Sequence, residues 1–185
     1  MSGPGPYPNS DVGKVLSVIE LGDSRLRSHA QPIAHIHDPQ LQTLIDNLLA
    51  TAAAKNGVGI AAPQVAVGLQ LFIVASRPNQ RYPQAPTMAP TAMLNPQILR
   101  YGDKRVKGWE GCLSVPGRRG LVPRHRAIDV AYTDRHGQAQ QQHLEDFVAR
   151  IFQHEYDHLQ GKIFLDRVEH PDDILSEAEY QKRFG

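Results

Sequence analysis

The chain has 185 residues and a mass of 20.5 kDa, which is enough for one compact domain around a single hydrophobic core. Its 20 basic and 19 acidic residues give a formal net charge of +1, which excludes a strong overall field for attracting DNA or a membrane surface. The one cysteine, Cys112, excludes an intramolecular disulfide framework and favours a reducing compartment. Because the sequence has neither an apolar run of membrane-spanning length nor the start of a signal peptide, we expect a cytoplasmic protein.

The first elements predicted along the chain are an arm, a strand and a helix. Residues 1–11 are rich in Gly and Pro and predict a flexible N-terminal arm, whereas residues 12–21 have the β-branched content of a short strand. A helix is expected to begin at Pro39, after the N-cap residue Asp38, and to end at Asn56-Gly57. Its apolar face is formed by Leu41, Leu44, Ile45, Leu48 and Leu49.

Residues 57–64 read Gly-Val-Gly-Ile-Ala-Ala-Pro-Gln and favour neither a helix nor a strand. Glycines at such a place let the backbone approach a ligand or another strand closely, and Gln64 adds an amide donor directly after them. A plain tight turn is the alternative, and on these residues alone it is the better interpretation.

The middle of the chain predicts two strands separated by a loop. The strands are expected at residues 69–75 and 93–99, and Pro96 predicts a place near a sheet edge for the second because proline cannot donate to a ladder. The Pro-rich residues 77–90 between the strands predict a surface loop.

Four arginines occur within nine positions, at Arg118, Arg119, Arg124 and Arg126. A solvated strand face is the simplest interpretation, and we favour it for at least Arg118 and Arg126. Contact of part of this patch with a substrate carboxylate or with ribosomal RNA is the alternative.

The last third of the chain predicts a β-hairpin followed by helices. Residues 128–132 and 138–144 form the two strands of the hairpin. A helix follows the hairpin, and Gly161 is expected to end that helix. Residues 162–168 are predicted to be extended, and residues 171–185 to form a short C-terminal helix.

The strongest chemical pattern lies in residues 153–161, which read Gln-His-Glu-Tyr-Asp-His-Leu-Gln-Gly. His154 and His158 are four residues apart, so on a helix they leave the same face and can bind one cation, with Glu155 between them as a base. Phe147 and Ile151 continue the same stripe upstream, which makes the metal face a buried face. Two ordinary histidines at the edge of a core are the alternative. However, burying a glutamate and two histidines on an otherwise apolar face without partners would cost roughly several kcal/mol of folding free energy.

A catalytic metal site needs a third protein ligand and an open position. A lone cysteine is most often an inert buried side chain, but beside two imidazoles the thiolate of Cys112 would complete a three-ligand site. The elements together predict an α+β fold: one compact domain, residues 12–170, of mostly antiparallel β-sheets packed around a central helix that carries His-Glu-x-x-His.

Three separated segments, residues 57–64, 110–114 and 153–161, resemble the signature motifs of the peptide deformylases. They match Gly-x-Gly-x-Ala-Ala-x-Gln, Glu-Gly-Cys-Leu-Ser and Gln-His-Glu-x-Asp-His at every fixed position. The likeness extends from about residue 15 to residue 166. It implies a hydrolase that removes the N-formyl group from the formyl-methionine of nascent polypeptides and releases formate.

The resemblance also implies roles for the motif residues. Cys112, His154 and His158 would hold one divalent metal ion, whose bound water attacks the formyl carbon. Glu155 would take the proton of that water and pass it to the leaving amine. Iron in the ferrous state is the habit of the family, with zinc, nickel or cobalt as substitutes, and imidazole and thiolate ligands suit both iron and zinc.

Further roles concern the formyl oxygen and the peptide. The Gln64 amide and the Leu113 N–H would stabilise the oxyanion. The predicted substrate-binding residues are Val58, Gly59, Gly111, Phe147 and Ile151, with the two glycines on the peptide main chain and the others around the methionine side chain.

Two rival functions stay open at this point. A zinc endopeptidase also carries His-Glu-x-x-His, although Phe164 occupies the place where one peptidase branch needs a third histidine. The other rival is a non-catalytic, ribosome-associated metal-binding module, against which Glu155 and Gln64 count because neither is required to hold a metal. Transient docking to the ribosome is a possible partner interaction, but the brief tail after Asp166 counts against it, because some members of the family use a C-terminal extension for docking.

Overall fold

The computed structural model describes residues 13–184, so the arm predicted for residues 1–11 lies outside them. Its helices are α1 (Pro39–Ala54), α2 (Asp146–Leu159) and α3 (Glu177–Phe184). Its strands are β1 (Gly59–Ala61), β2 (Leu71–Val74), β3 (Thr91–Tyr101), β4 (Arg105–Cys112), β5 (Val115–His125), β6 (Ala127–Thr133), β7 (Ala139–Glu145) and β8 (Ile174–Ser176). Within these residues, no helix is long and apolar enough to cross a membrane.

The strands form two antiparallel sheets, with the order β1-β2-β3-β6-β7 in the larger and β4-β5-β8 in the smaller. Helix α2 contacts β1 and β2 of the larger sheet and β5 of the smaller one. The α+β fold with a central helix is therefore confirmed.

Strand β2 shows why the core lies on both faces of the larger sheet. Leu71 and Ile73 pack in the same cluster as the apolar face of α1, whereas Phe72 and Val74 pack with residues of α2. All four side chains are fully buried, as an unbroken apolar run of this length predicts. Helix α2 is thus held against the sheet by a dry face, which fixes the position of the side chains that it carries.

The ends of both long helices follow the sequence signals. The Asp38 carboxylate accepts a hydrogen bond from the Gln40 N–H at 2.7 Å, and Pro39 is the first residue of α1. After α2, Gly161 has a φ of 69° and no room for a Cβ beside the Arg27 carbonyl. The hairpin of β6 and β7 is also confirmed.

Two strand predictions in the first half of the chain are wrong. In the described part of residues 12–21 the chain is not in a strand, although Ile19 N–H donates to the Gln64 carbonyl and Leu21 N–H to the Ser114 carbonyl. Strand β3 is not at an edge but lies between β2 and β6. Pro96 is tolerated there because the register shifts between Leu94 and Gln97, where the ladder is interrupted.

Three further segments differ from their predictions because partners distant in sequence decide them. Residues 57–64 contain β1, which pairs with β2, and then a 3₁₀ turn, Ala62–Val65. The segment predicted to be extended after Gly161 contains the 3₁₀ turn Phe164–Arg167. The predicted C-terminal helix is only α3, because β8 pairs with β5 before it.

Candidate active site

Helix α2 and the end of β4 bring the three predicted metal ligands to one point. The ligand atoms of Cys112, His154 and His158 all lie within 4.8 Å of one another. The Cys112 Sγ is 3.4 Å from the His158 Nε2, and the two imidazole centroids are 5.2 Å apart. One sulfur and two ring nitrogens at this spacing suit a tetrahedral divalent metal ion with a fourth position left for water or substrate.

The surroundings of His154 also fit a metal ligand. The Glu110 carboxylate lies 2.9 Å from the His154 Nδ1, which leaves the Nε2 to face Cys112. A carboxylate behind a histidine fixes its tautomer and orientation in many metal sites. The donor set and this support together fit a divalent transition metal ion.

Electrostatic coupling favours the ligating form of Cys112. Burial by itself raises the pKa of the Cys112 thiol, but the imidazoles of His158 and His154 outweigh burial and hold that pKa well below its usual range. Burial would lower the pKa of His154, whereas Cys112 and Glu110 raise it well above its usual value. The thiolate is the form that binds metal, so the site favours it before any ion arrives.

Glu155 lies beside the three ligands without joining them. Its Oε2 is buried and has no hydrogen-bond partner within residues 13–184. Burial raises the pKa of Glu155 to about 7, against the opposing effect of the His154 and His158 rings. A carboxyl group with a pKa near neutrality can both accept and return a proton.

Gly59 of β1 is required by the close approach of its backbone to Glu155. A Cβ at position 59 would collide with the carboxylate, at 2.9 Å from the Glu155 Cδ. This strand therefore fixes the place of the carboxylate, and only glycine leaves room for it.

We expect Gly59→Ala to lower the turnover number about 10²-fold, because displacement of a reacting group by roughly an ångström has that effect. The metal content should stay at the wild-type level, since the three atoms nearest to a Cβ at position 59 all belong to Glu155 and none to a metal ligand. Gly68→Ala is the matched control, because a Cβ there meets nothing within 4 Å. Equal turnover of the two variants would contradict this account.

The predicted oxyanion donors lie next to the metal ligands. The Gln64 Oε1 accepts a hydrogen bond from the Ala61 N–H at 2.9 Å, which directs the Gln64 Nε2 towards the Cys112 Sγ at 3.3 Å and the Ser114 Oγ at 3.1 Å. Leu113 follows Cys112 in the chain and lines a cleft that opens over these residues.

A cleft of about 480 Å³, solvent at its mouth included, opens over this cluster. All five predicted substrate-binding residues line it, namely Val58, Gly59, Gly111, Phe147 and Ile151. Cys112, His154 and Glu155 lie at the same cleft. Its mostly apolar wall, with a few polar groups, is typical of a ligand-binding cleft.

The family model described as polypeptide deformylase matches residues 15–173. The chain belongs to the polypeptide deformylase family. It is 60% identical over 169 residues to peptide deformylase 2 of Nostoc sp., with 91% of this chain and 94% of the relative covered. It is 45% identical over 152 residues to peptide deformylase 1 of Bordetella pertussis, with 82% and 86% covered.

Solved structures of peptide deformylases share the fold. The Met-Ala-Ser-bound class I type b peptide deformylase from Acinetobacter baumannii superposes with a TM-score of 0.82 at 44% identity, covering 83% of this chain and 98% of that one. The peptide deformylase from Thermotoga maritima gives a TM-score of 0.75 at 32% identity, covering 84% and 99%.

Sequence reasoning missed several residues of this deformylase cleft. Arg81 and Tyr82 come from residues 77–90, for which the sequence predicts a surface loop, and no local pattern indicates a role for Arg150. The loop carries an aromatic and a cationic side chain among its prolines, which is the only local signal that could have marked it. The cleft wall they form depends on contacts far apart in sequence.

The arginine patch of this family member divides into two parts. Arg118 and Arg126 are exposed, as predicted, whereas Arg119 and Arg124 are buried. Arg124 donates to both Glu110 oxygens at 3.0 Å and to Asp157 at 2.6 Å. Burial would raise the pKa of Glu110, but Arg124 and His154 outweigh burial and hold it below its usual range. A buried ionic network therefore supports His154 from behind.

We expect Glu110→Gln to weaken metal affinity about 10- to 100-fold, as loss of an outer-shell partner does in other metal sites. Competition with a chelator measures the affinity. Asp129→Asn is the matched control, because Asp129 pairs with the exposed His143 at 2.5 Å and touches no ligand. Unchanged affinity in Glu110→Gln would refute the supporting role of Glu110.

Proposed function

We propose that this chain is a metal-dependent hydrolase that removes the formyl group from the N-terminal formyl-methionine of nascent polypeptides and releases formate. The observation that carries the proposal is the convergence of Cys112, His154 and His158 beside the non-ligating carboxylate of Glu155, at an apolar cleft. The names of the relatives support the same reaction.

We propose that the three ligands hold one divalent ion, Fe²⁺ by preference, with Zn²⁺, Ni²⁺ or Co²⁺ as substitutes. An ion at such a site lowers the pKa of water towards neutrality and polarises a carbonyl group. The protein contributes the coordination geometry, the thiolate form of Cys112 and the orientation of His154 through Glu110.

Glu155 moves the proton of the reaction. Its carboxylate accepts a proton from the attacking water and returns it to the methionine nitrogen as the formyl C–N bond breaks, which leaves formate and a free amine. The Gln64 Nε2 and the Leu113 N–H would donate to the negative charge that develops on the formyl oxygen, each contributing about 3 kcal/mol to transition-state stabilisation.

The cleft selects the substrate through its apolar wall. The methionine side chain would lie against Val58, Phe147 and Ile151, and the main chain would bind Gly59 and Gly111 in an extended pose. A missing methylene in such a pocket costs only about 1 to 3 kcal/mol, so selectivity for methionine should be moderate.

The wider setting of the reaction follows from the substrate. Nascent chains leave the ribosome, so we place the reaction in the cytoplasm with a transient approach to the ribosome. We assign the chemistry to residues 12–170 as the catalytic domain, with residues 171–185 as an appended C-terminal segment. Neither DNA nor a membrane is needed as a partner.

Anaerobic loading with Fe²⁺, followed by metal quantification and a formate-release assay with formyl-Met-Ala-Ser, tests the proposal. Stoichiometric metal without formate release would instead support the non-catalytic module. Internal cleavage of a long unformylated peptide would support the endopeptidase, although Phe164 is buried and stacks on the His154 ring with centroids 6.2 Å apart. That position therefore supplies packing to the site rather than a third imidazole.

A further inference from the structure

Tyr82 lines the cleft but has no role in the catalytic steps proposed above. Its ring centroid lies 4.9 Å from that of Phe147, and its hydroxyl accepts a hydrogen bond from the Gly111 N–H at 3.2 Å. Phe147 belongs to the proposed methionine pocket, and Gly111 to the proposed binding site of the peptide main chain. Tyr82 therefore touches both parts of the substrate path.

The position of Tyr82 is supported from outside the cleft by Arg119. The guanidinium carbon of Arg119 lies 5.4 Å from the Tyr82 ring centroid and 4.8 Å from that of Tyr180 in α3. The Arg119 side chain has 0% of its surface exposed. A cation held between aromatic rings and withdrawn from water attracts both of them.

Glu177 compensates the buried charge of Arg119. Its two carboxylate oxygens accept hydrogen bonds from the Arg119 Nε at 2.8 Å and Nη2 at 3.1 Å. The remaining Nη1 has no hydrogen-bond partner within residues 13–184, so this bidentate pair is the main support of the charge. Removing one partner of such a pair leaves an uncompensated charge in the interior.

Contacts therefore run from Glu177 in α3 through Arg119 to Tyr82 at the cleft. None of these three residues belongs to the group of metal ligands. A change along this path should alter how the peptide is held and should leave the metal in place.

We propose that Tyr82 is a substrate-positioning residue, and that Arg119 and Glu177 fix it so that helix α3 contributes to peptide binding; this rests on the function proposed above. The Tyr82 ring extends the apolar wall that Phe147 begins. The Tyr82 hydroxyl accepts the hydrogen bond of the Gly111 N–H until a carbonyl oxygen of the peptide takes the place of the hydroxyl as acceptor. The ring, rather than the hydroxyl, carries the binding of the substrate.

Kinetics and calorimetry on the metal-loaded protein test this. We expect Tyr82→Ala to raise KM for formyl-Met-Ala-Ser and Kd for Met-Ala-Ser about tenfold, as the loss of an aromatic pair with its buried area does, with kcat within about twofold. Tyr82→Phe should keep both constants within about twofold, because the hydroxyl bond is exchanged when the peptide binds. Unchanged KM and Kd in Tyr82→Ala would overturn the proposal.

The coupling to α3 is tested with Glu177→Gln and its matched control, Glu179→Gln. Glu179 is in the same helix, but its carboxylate bonds to Ser176 rather than to Arg119. We expect Glu177→Gln to raise KM and Kd about threefold or more with an unchanged metal content, and the control to leave them unchanged. Equal values for these two variants would refute the part assigned to Glu177.

A double variant separates positioning from a general loss of stability. If Glu177 acts on the peptide only through Arg119 and Tyr82, Tyr82→Ala combined with Glu177→Gln should bind the peptide about as weakly as Tyr82→Ala alone. Effects that multiply would overturn the coupling. Because calorimetry needs no turnover, a failure of formate release with intact peptide binding would count against the proposed function and not against the role of Tyr82.

Discussion

Glu155→Gln is expected to bind metal at the wild-type level and to release formate about 10³-fold more slowly, since the residue provides general acid–base catalysis without holding the ion. The amide has nearly the shape of the carboxylate, so Gly59 and the cleft wall can stay in place. The amide cannot take a proton from water, which removes the step assigned to Glu155. The effect should appear in kcat, with KM nearly unchanged.

Metal quantification and formate release on the same preparation measure both halves of this expectation. With both proteins free of metal, thermal unfolding should show that the variant is at least as stable as the wild type, because a neutral amide is easier to bury than a carboxylate. Glu145→Gln is the control at the N-cap position directly before this helix, where the side chain is exposed and makes no capping bond. An active Glu155→Gln protein would rule out the general-base assignment.

The sequence predicts best those features that neighbouring residues determine. Helix α1 begins where Asp38 caps it, and α2 ends where Gly161 adopts a positive φ. The four-residue spacing of His154 and His158 needs only a helix to place both rings on one face. These elements agree with their predictions because no distant partner competes with the local signals.

Predictions failed where a partner distant in sequence decides the conformation. Strand β8 forms because the β5 edge is available to Ile174–Ser176, although the same residues continue a helical pattern. The sequence does not distinguish Arg119 and Arg124 from Arg118. Both are nevertheless buried, because acidic partners on other elements compensate their charge. Tyr82 enters the cleft through contacts with Phe147 and Gly111, which no local pattern announces.

Cys112 stands between these two cases. The sequence predicts its role as a ligand, from the need for a third ligand and from the motif around it. Its position, however, depends on a register shift between Glu110 and Cys112 at the end of β4, of the kind that a β-bulge produces. This irregularity at the end of the strand brings the sulfur to the face of α2. Bulges of this kind re-aim a side chain, and spacing alone does not locate them.

Cys112→Ala is expected to lower bound metal from about one ion per chain to less than about a tenth, because two imidazoles alone make a weak site. Formate release should fall with the metal. The substitution removes a buried sulfur and the contact of that sulfur with the Gln64 Nε2, so a modest loss of stability of about 1 kcal/mol accompanies it. Metal analysis after dialysis, together with thermal unfolding, separates loss of the ion from loss of the fold.

Comparison of the two single variants, Cys112→Ala and Glu155→Gln, distinguishes a metal ligand from a general base. A ligand variant should regain part of its activity as the concentration of added metal rises, since occupancy limits it. The Glu155→Gln protein should gain nothing from added metal, because its site is already filled. If Cys112→Ala instead keeps one ion per chain and full turnover, the sulfur is not a ligand, and the two imidazoles must hold the ion with a group other than Cys112.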